Sequence, residues 1–487
     1  MELTSFPFRH EILAAVKHAL HRREEPHAAS RLACLDGLRG VAALIVFICH
    51  LFWTYHSWVE YGYGDGPDNN RFIQLPIIRL VISGHAMVSL FFVVGGYVSS
   101  ASALKKVRSR SYEKLYLSLA SSLFRRGIRL YLPAIISTFI TMWLICLGFF
   151  EPARKYLRAE YMVHSDNHHV YLGSTSAQLE DWFKETMGMT NIWSYYNNGF
   201  TQPYYNPYDP HLWTVPMEMR GSLVVILCLL AFSRCRQNFR FALMGLTIVY
   251  CVYWDRWECM EFLLGSIVAE IDLIMQETRD SNPNPLTRID SPIETSFELS
   301  LDDDPKPAWL HHPPSHSPSR SLLHNPLLTT TLRVLFLLSA LYILSAPNAN
   351  YPTTPLYTLF PTLTPPTISD PKRFFHGLGA SLLLLSLTST PSFQSPFLHP
   401  LPQYLGKISY SLYICHGPVI HCLGMWLTPA LWDFFGWQTG WGWAVGFLGG
   451  GAVVVGFVVV VADAFWRAVD RRVVGFARAV ERWCFCG

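Results

Sequence analysis

Runs of about 18 to 25 predominantly apolar residues recur along this chain, the length at which an α-helix crosses the hydrocarbon core of a bilayer. A water-soluble core does not need such runs, and because they are continuous rather than alternating they exclude a transmembrane β-barrel. Composition agrees, with 51% of the 487 residues hydrophobic and 15% charged, against roughly 25% charge in ordinary globular domains. The pattern predicts an all-α fold, a polytopic integral membrane helix bundle of about ten transmembrane helices. The spans fall at Leu38–Tyr55, Val81–Leu104, Ile128–Phe150, Leu212–Phe232, Phe239–Trp254, Trp257–Met275, Leu328–Ser345, Phe374–Leu387, Leu405–Leu427 and Trp441–Phe465.

Charge patterning gives the bundle an orientation. Basic residues largely gather on alternate connections, as the positive-inside rule requires when both termini are cytosolic. They comprise Arg22 and Arg23 in the N-terminal tail, Lys105 through Arg126 in the next inner loop, Arg234 and Arg236, and Arg467 through Arg482 at the C-terminus. Segment Tyr55–Pro76 instead holds Glu60, Asp65 and Asp68 against Arg71. The exception is the loop of about 60 residues after Phe150, with Arg154, Lys155, Arg158 and Lys184, a length at which the rule loses force. The net charge of +3 is then an orientation signal, with no nucleic-acid partner implied. Residues 1–30 form a polar N-terminal tail without a cleavable signal pattern, because Arg9 and the cluster Arg22–Glu25 interrupt any apolar stretch before Leu38. Residues 276–325 shift to Pro, Ser, Asp and His without periodicity and are expected to form a disordered cytosolic insertion. Residues 466–487 form a basic cytosolic tail. The eleven cysteines show no paired framework and no metal-ligand spacing, so no metal is expected. Cys484 and Cys486 are read as free tail thiols, lipidation being the other reading.

Ionisable groups inside membrane spans are costly and are functional candidates by default. Five stretches carry them or their setting: Leu35–Gly40 running to His50, Phe91–Tyr97, Arg125–Arg129 with Pro133, His211–Arg220, and Leu405–His416. His50 follows Arg39 by eleven residues, which places it roughly 16 Å deeper along its helix. That depth suits an imidazole base shielded from bulk water, a packing histidine being the alternative. Arg126 and Arg129 lie one helical turn apart on one face, where their guanidinium forks can grip phosphates or anchor to lipid headgroups. Glu218 lies one to two turns inside its span, where it orients an imidazole, binds an acceptor hydroxyl or pairs with Arg220. His416, nine residues past Lys407, reaches a depth comparable with His50 and shares a face with Tyr410 and Tyr413. Gly95 and Gly96 read as a close helix approach.

In order and topology these five stretches resemble the acyltransferase family 3 membrane proteins, which O-acylate polysaccharides, lipids and small molecules. The resemblance covers about residues 31–465. It rests on Leu35–Gly40 with His50 eleven residues past Arg39, Phe91–Tyr97, the arginine pair with Pro133, Leu212–Glu218 and Ser409–His416. It implies an acyl-CoA donor, acetyl by family habit, reached from the cytosolic side. It also implies His50 as the catalytic histidine, Arg126 and Arg129 as donor-binding residues and Arg39 as the motif arginine. Glu218 and His416 complete the candidate catalytic set. Gly95 stands where the family more usually has serine, and the 276–325 insertion is atypical.

The resulting expectation is a membrane-embedded O-acyltransferase acting on a hydroxyl of a glycan, lipid or small-molecule acceptor, in the endoplasmic reticulum or plasma membrane. A transporter would also carry buried His, Glu and Arg, but no inverted repeat in hydropathy supports one. A family member without turnover, acting as sensor or scaffold, is a third reading. In the outer loop Trp182, Trp193, Tyr195, Tyr196, Tyr204, Tyr205 and Tyr208 offer ring faces for an acceptor, or simply populate the membrane interface.

Overall fold

The computed structural model of the protein describes residues 27–166, 168–193, 205–281, 326–350 and 353–485. Among the described residues there is no strand beyond an isolated bridge between Asn206 and Asp209. The main helices are α1 (His27–Tyr55), α2 (Gly84–Arg108), α3 (Tyr112–Cys146), α4 (Thr175–Thr190), α5 (Thr214–Phe232), α6 (Gln237–Tyr253) and α7 (Trp257–Ser281). They continue with α8 (Pro326–Leu344), α9 (Pro371–Ser389), α10 (Pro400–Val419), α11 (Met425–Phe435), α12 (Gly450–Phe465) and α13 (Arg471–Cys484). In hydrocarbon only helices satisfy their own backbone groups segment by segment, which is why apolar runs of this length fold this way.

Each expected span falls in helix. Five stretches among the described residues are long and apolar enough to cross a membrane: Arg31–Tyr55, Gly84–Arg108, Tyr112–Cys146, Pro210–Phe232 and Gly440–Cys484. The others fall short of about ten for physical reasons. Helix α6 has 17 residues, and α7 carries Glu258, Glu261, Glu270 and Asp272, all buried. Three of these acids are neutralised by neighbouring elements. Glu258 meets Arg220 of α5 at 2.8 Å, Glu270 pairs with Arg240 of α6, and Asp272 lies 3.3 Å from Arg31 of α1 while accepting from the Tyr97 hydroxyl at 2.7 Å.

Two helix crossings set the positions of the candidate residues. Gly96 of α2 faces the Phe262 carbonyl and Gly265 of α7 faces the Val93 carbonyl, so close that a methyl at either would overlap backbone. This is the small-residue approach expected of Gly95–Gly96. Likewise Gly40 of α1 meets the Gly406 backbone of α10, and Gly406 meets the Asp36 carbonyl. The Leu35–Gly40 stretch is therefore a crossing point, and it locks the helix bearing Arg39 and His50 to the one bearing Lys407, Tyr413 and His416. Helix α10 does not run unbroken through Leu427. Pro418 lies near its end and a π-helical segment, Ile420–Gly424, joins it to α11, as expected where proline removes a backbone donor.

The expected boundaries shift at both flanks. Gln276–Ser281 are the last turns of α7, and the rest of the 276–325 insertion lies outside the described residues. At the C-terminus the residues expected to form a tail build α13, with Val473 and Ala477 buried. Glu481 pairs with Arg125 of α3 at 3.1 Å and Phe485 meets Phe124 edge to face at 5.3 Å. Among the described residues every cysteine is free, and Cys484 is exposed.

Candidate active site

Beside the α1–α10 crossing lies a cavity of about 420 Å³. Arg39 of α1, Arg125, Arg126 and Arg129 of α3, and Lys407 of α10 all line it, with Glu218 of α5 and Asp470 as its carboxylates. The three arginines singled out from sequence thus converge on one space. Arg126 donates to Ser99 Oγ and to Glu218 Oε1, each at 3.2 Å. Arg39 stands 3.8 Å from Asp36. Arg129 makes no ion pair within 4.0 Å among the described residues, and Asp470 across the same cavity is the carboxylate whose charge acts on it.

Tyr413 and Thr214 also line this cavity, and through them it adjoins a cluster of imidazoles, His211 and His416 buried and His50 half-buried. The Tyr413 hydroxyl donates to the His211 carbonyl and accepts from Thr214 Oγ1 at 2.6 Å. Behind it His50, His211 and His416 pack with ring centroids 4.1, 4.6 and 5.3 Å apart. Of the two sequence-derived histidines, His50 stands 3.2 Å through Nδ1 from His211 Nε2. His416 donates Nδ1–H to the Tyr413 carbonyl at 2.5 Å and leaves Nε2 buried without a hydrogen-bond partner among the described residues.

His211 had no role in the sequence-derived set, and neither had Asp209. Asp209 is the N-cap of the 3-10 turn Pro210–Trp213, with Pro210 at its first position. Its Oδ1 accepts from the His211 backbone N–H at 3.1 Å and from His211 Nδ1 at 2.9 Å. The carboxylate thereby fixes the tautomer. His211 Nδ1 carries the proton, Nε2 accepts from His50 Nδ1–H, and His50 is left with a basic lone pair on Nε2. Gly417 makes this geometry possible, because a Cβ there would lie 2.5 Å from Asp209 Oδ1 and 2.6 Å from His211 Nδ1. Asp166, in the loop after α3, adds a second carboxylate 3.7 Å from His211 Nε2. Burial pushes its carboxyl above the ordinary aspartate range. The signal for the pair was present as Asp209-Pro210-His211, a helix cap followed at two residues by a ligand for the same oxygen.

Glu218 is a correction. It does not join the imidazoles and does not pair with Arg220, whose carboxylate partner is Glu258 at 2.8 Å. Its side chain is in the arginine cavity against Arg126. Two of the outer-loop aromatics are likewise committed elsewhere. Trp182 donates to Thr138 Oγ1 at 3.1 Å, and buried Tyr208 bonds Gln178 and Asp181. Trp193 and Tyr205 remain exposed, and Tyr195, Tyr196 and Tyr204 lie outside the described residues.

Ring nitrogens of His50, His211 and His416 all lie within 4.8 Å of one another, a group able to hold a metal ion. Its outer partners, the Asp209 carboxylate and the Tyr413 carbonyl, are of the kind that orients ligating histidines. Sequence spacing gave no hint of this, because the three residues come from α1, the turn before α5, and α10.

A helical membrane protein with an arginine-lined cavity ending on a carboxylate-oriented histidine pair has the layout of a group-transfer enzyme. Comparison with known proteins supplies the class: a family model described as an acyltransferase domain matches residues 32–273 and 316–463. The chain belongs to this family and is an acyltransferase of the membrane. The residues left unmatched between the two segments fall largely on the expected insertion. The chain is 28% identical over 413 residues to O-acetyltransferase PaAT-1 of Phomopsis amygdali, covering 83% of this chain and 75% of that one. It is 24% identical to Acyltransferase clz18 of Cochliobolus lunatus, over 91% of this chain and 94% of the relative. With Acyltransferase R4 of Phoma sp. (strain ATCC 20986 / MF5453) the identity is 25%, over 92% and 95%. No solved structure matches the chain.

Proposed function

We propose that this protein is an O-acyltransferase that moves an acyl group, acetyl in the first instance, from acyl-CoA to a hydroxyl-bearing acceptor. The observation that carries the reading is the junction at Tyr413, where a cavity rich in guanidinium groups meets a histidine held by a carboxylate-bound partner. Phosphates of the donor rest on Arg39, Arg126 and Arg129, and the thioester extends toward Tyr413. His50 Nε2 takes the proton of the acceptor hydroxyl while the oxygen attacks the thioester carbonyl. The C–O bond forms, the C–S bond breaks, and the proton passes on to the departing thiolate. Positive charge that develops on His50 is shared with His211, which Asp209 steadies. Glu218 acts as positioning residue for Arg126, and His416 offers its free Nε2 to the acceptor side. The acetyl donor is supported by the name of the Phomopsis relative, an O-acetyltransferase. The acceptor is a glycan, lipid or small-molecule hydroxyl presented from the opposite side of the membrane.

In this reading about ten helices cross the bilayer, α6 to α10 included. The arginine mouth and both termini face the cytosol, in the endoplasmic reticulum or plasma membrane. Transfer of labelled acetyl from acetyl-CoA by isolated membranes is the direct test. Replacing Arg126 and Arg129 together by alanine is expected to raise the KM for donor at least tenfold with the protein still inserted. Unchanged donor dependence would reduce the pair to a topological anchor.

A further inference from the structure

Part of the cavity wall comes from a stretch beyond the family match, which ends at residue 463. Trp466, Asp470 and Val474 line the cavity together with the arginines. Trp466 and Asp470 bound a π-helical turn between α12 and α13, a local geometry that recurs at functional sites. Four residues apart, they share a face. The Arg125–Glu481 pair and the Phe124–Phe485 contact fasten α13 to the arginine-bearing helix α3. Lys407 lies with its ammonium 4.2 Å from the Trp466 ring centroid, so the indole faces cations. An aromatic plane beside guanidinium groups suits a ligand that joins a flat base to phosphates. Bases stack on such rings, and arginine grips the phosphate oxygens.

We infer that Trp466 stacks on the adenine ring of the CoA donor, with Asp470 accepting from the base's exocyclic amine, so that the C-terminal helix completes the donor site. This rests on the acyl-CoA reading above. The base takes the place of the Lys407 ammonium over the indole and releases that cation to a phosphate. Distances along the helices agree. Arg39 and His50 are separated by roughly 16 Å, and a pantetheine arm of about a dozen chain bonds extends on the order of 15 Å. With phosphates at the arginines the thioester therefore reaches Tyr413 while the adenine stays at the mouth, where Trp466 and Asp470 are.

The test compares acetyl-CoA with acetyl-pantetheine, which lacks the nucleotide, as donors for the full chain in lipid nanodiscs. Trp466→Ala is expected to raise the KM for acetyl-CoA roughly 5- to 100-fold, and Trp466→Phe to recover most of the loss, while the KM for acetyl-pantetheine moves less than about twofold. An equal rise for both donors would overturn the assignment and leave Trp466 a wall residue. Binding of labelled adenosine 3′,5′-bisphosphate to the same proteins needs no turnover. Wild type is expected to bind it, Trp466→Ala to lose it, and Asp470→Asn to lose the preference over guanosine 3′,5′-bisphosphate. Retained binding by Trp466→Ala would also overturn the proposal. A protein that transfers from neither donor yet binds the bisphosphate through Trp466 would sink the acyl-CoA chemistry and leave the base site standing.

Discussion

Buried charge occurs in two arrangements in this bundle, along α7 and around Tyr413. On α7, Glu258, Glu270 and Asp272 each meet a cation from another helix, while Glu261 between them is buried with neither carboxylate oxygen hydrogen-bonded among the described residues. Around Tyr413 the groups are oriented but incomplete. Among the described residues Arg129 has no carboxylate within 4.0 Å and His416 Nε2 has no hydrogen-bond partner, and the tautomer set by Asp209 leaves His50 a lone pair. The Tyr413 groups differ from the α7 ion pairs in being oriented by neighbours yet left open beside a cavity, which makes them the functional candidates. When the bonding is closed, the residue holds helices together.

The largest effect expected from this contrast is on His50. His50→Gln keeps size and hydrogen bonding but removes the base, and turnover is expected to fall ~10²–10⁴-fold with the donor KM little changed. Near-normal turnover in a stable protein would make His416 the next base to test. The closed arrangement is probed by Glu258→Gln, which removes the carboxylate charge opposite buried Arg220 and, as the breaking of a buried pair, is expected to cost ~3–5 kcal/mol of stability. Activity per folded molecule should hold, and a drop in it that thermal melting does not explain would make the α7 pair part of the site. A smaller loss, roughly 10- to 100-fold in kcat by the usual weight of an orienting partner, is expected of Asp209→Asn, because the amide no longer dictates the His211 tautomer. An undiminished kcat would break the relay. The smallest effect is that of a chelator. Dialysis against EDTA is expected to leave transfer unchanged, and loss of activity restored by zinc would reassign the three histidines as metal ligands.

The helices were legible because apolar runs declare themselves over about 20 residues, and the α2–α7 crossing was announced by Gly95-Gly96. The arginine cavity was legible for a local reason, since Arg126 and Arg129 sit one turn apart and Arg39 lies at the same level of its own helix. For Glu218 the sequence left an imidazole, an acceptor hydroxyl and Arg220 open as partners, and only the packing of α3 against α5 brings it to Arg126. Asp209 and His211 were passed over for a related reason. Their role depends on Gly417 admitting them against α10, a contact between segments some two hundred residues apart. Helix α13 was read as a tail because its arginines resemble a positive-inside flank, and its apolar side is only two buried residues wide, Val473 and Ala477.

The closed pairs on α7 also bear on how the chain is made. An acid at the centre of a spanning helix is unfavourable to insert by about 2.5–3.5 kcal/mol on translocation scales, and on the ten-span proposal α7 is such a helix and carries several. Their partners Arg31, Arg220 and Arg240 lie in α1, α5 and α6, all upstream in the chain. During synthesis from the N-terminus, each cation leaves the ribosome before the acid it neutralises, so α7 meets a prepared counter-charge as it enters the membrane. A circular permutant that emits α7 first would have to insert its acids unpaired.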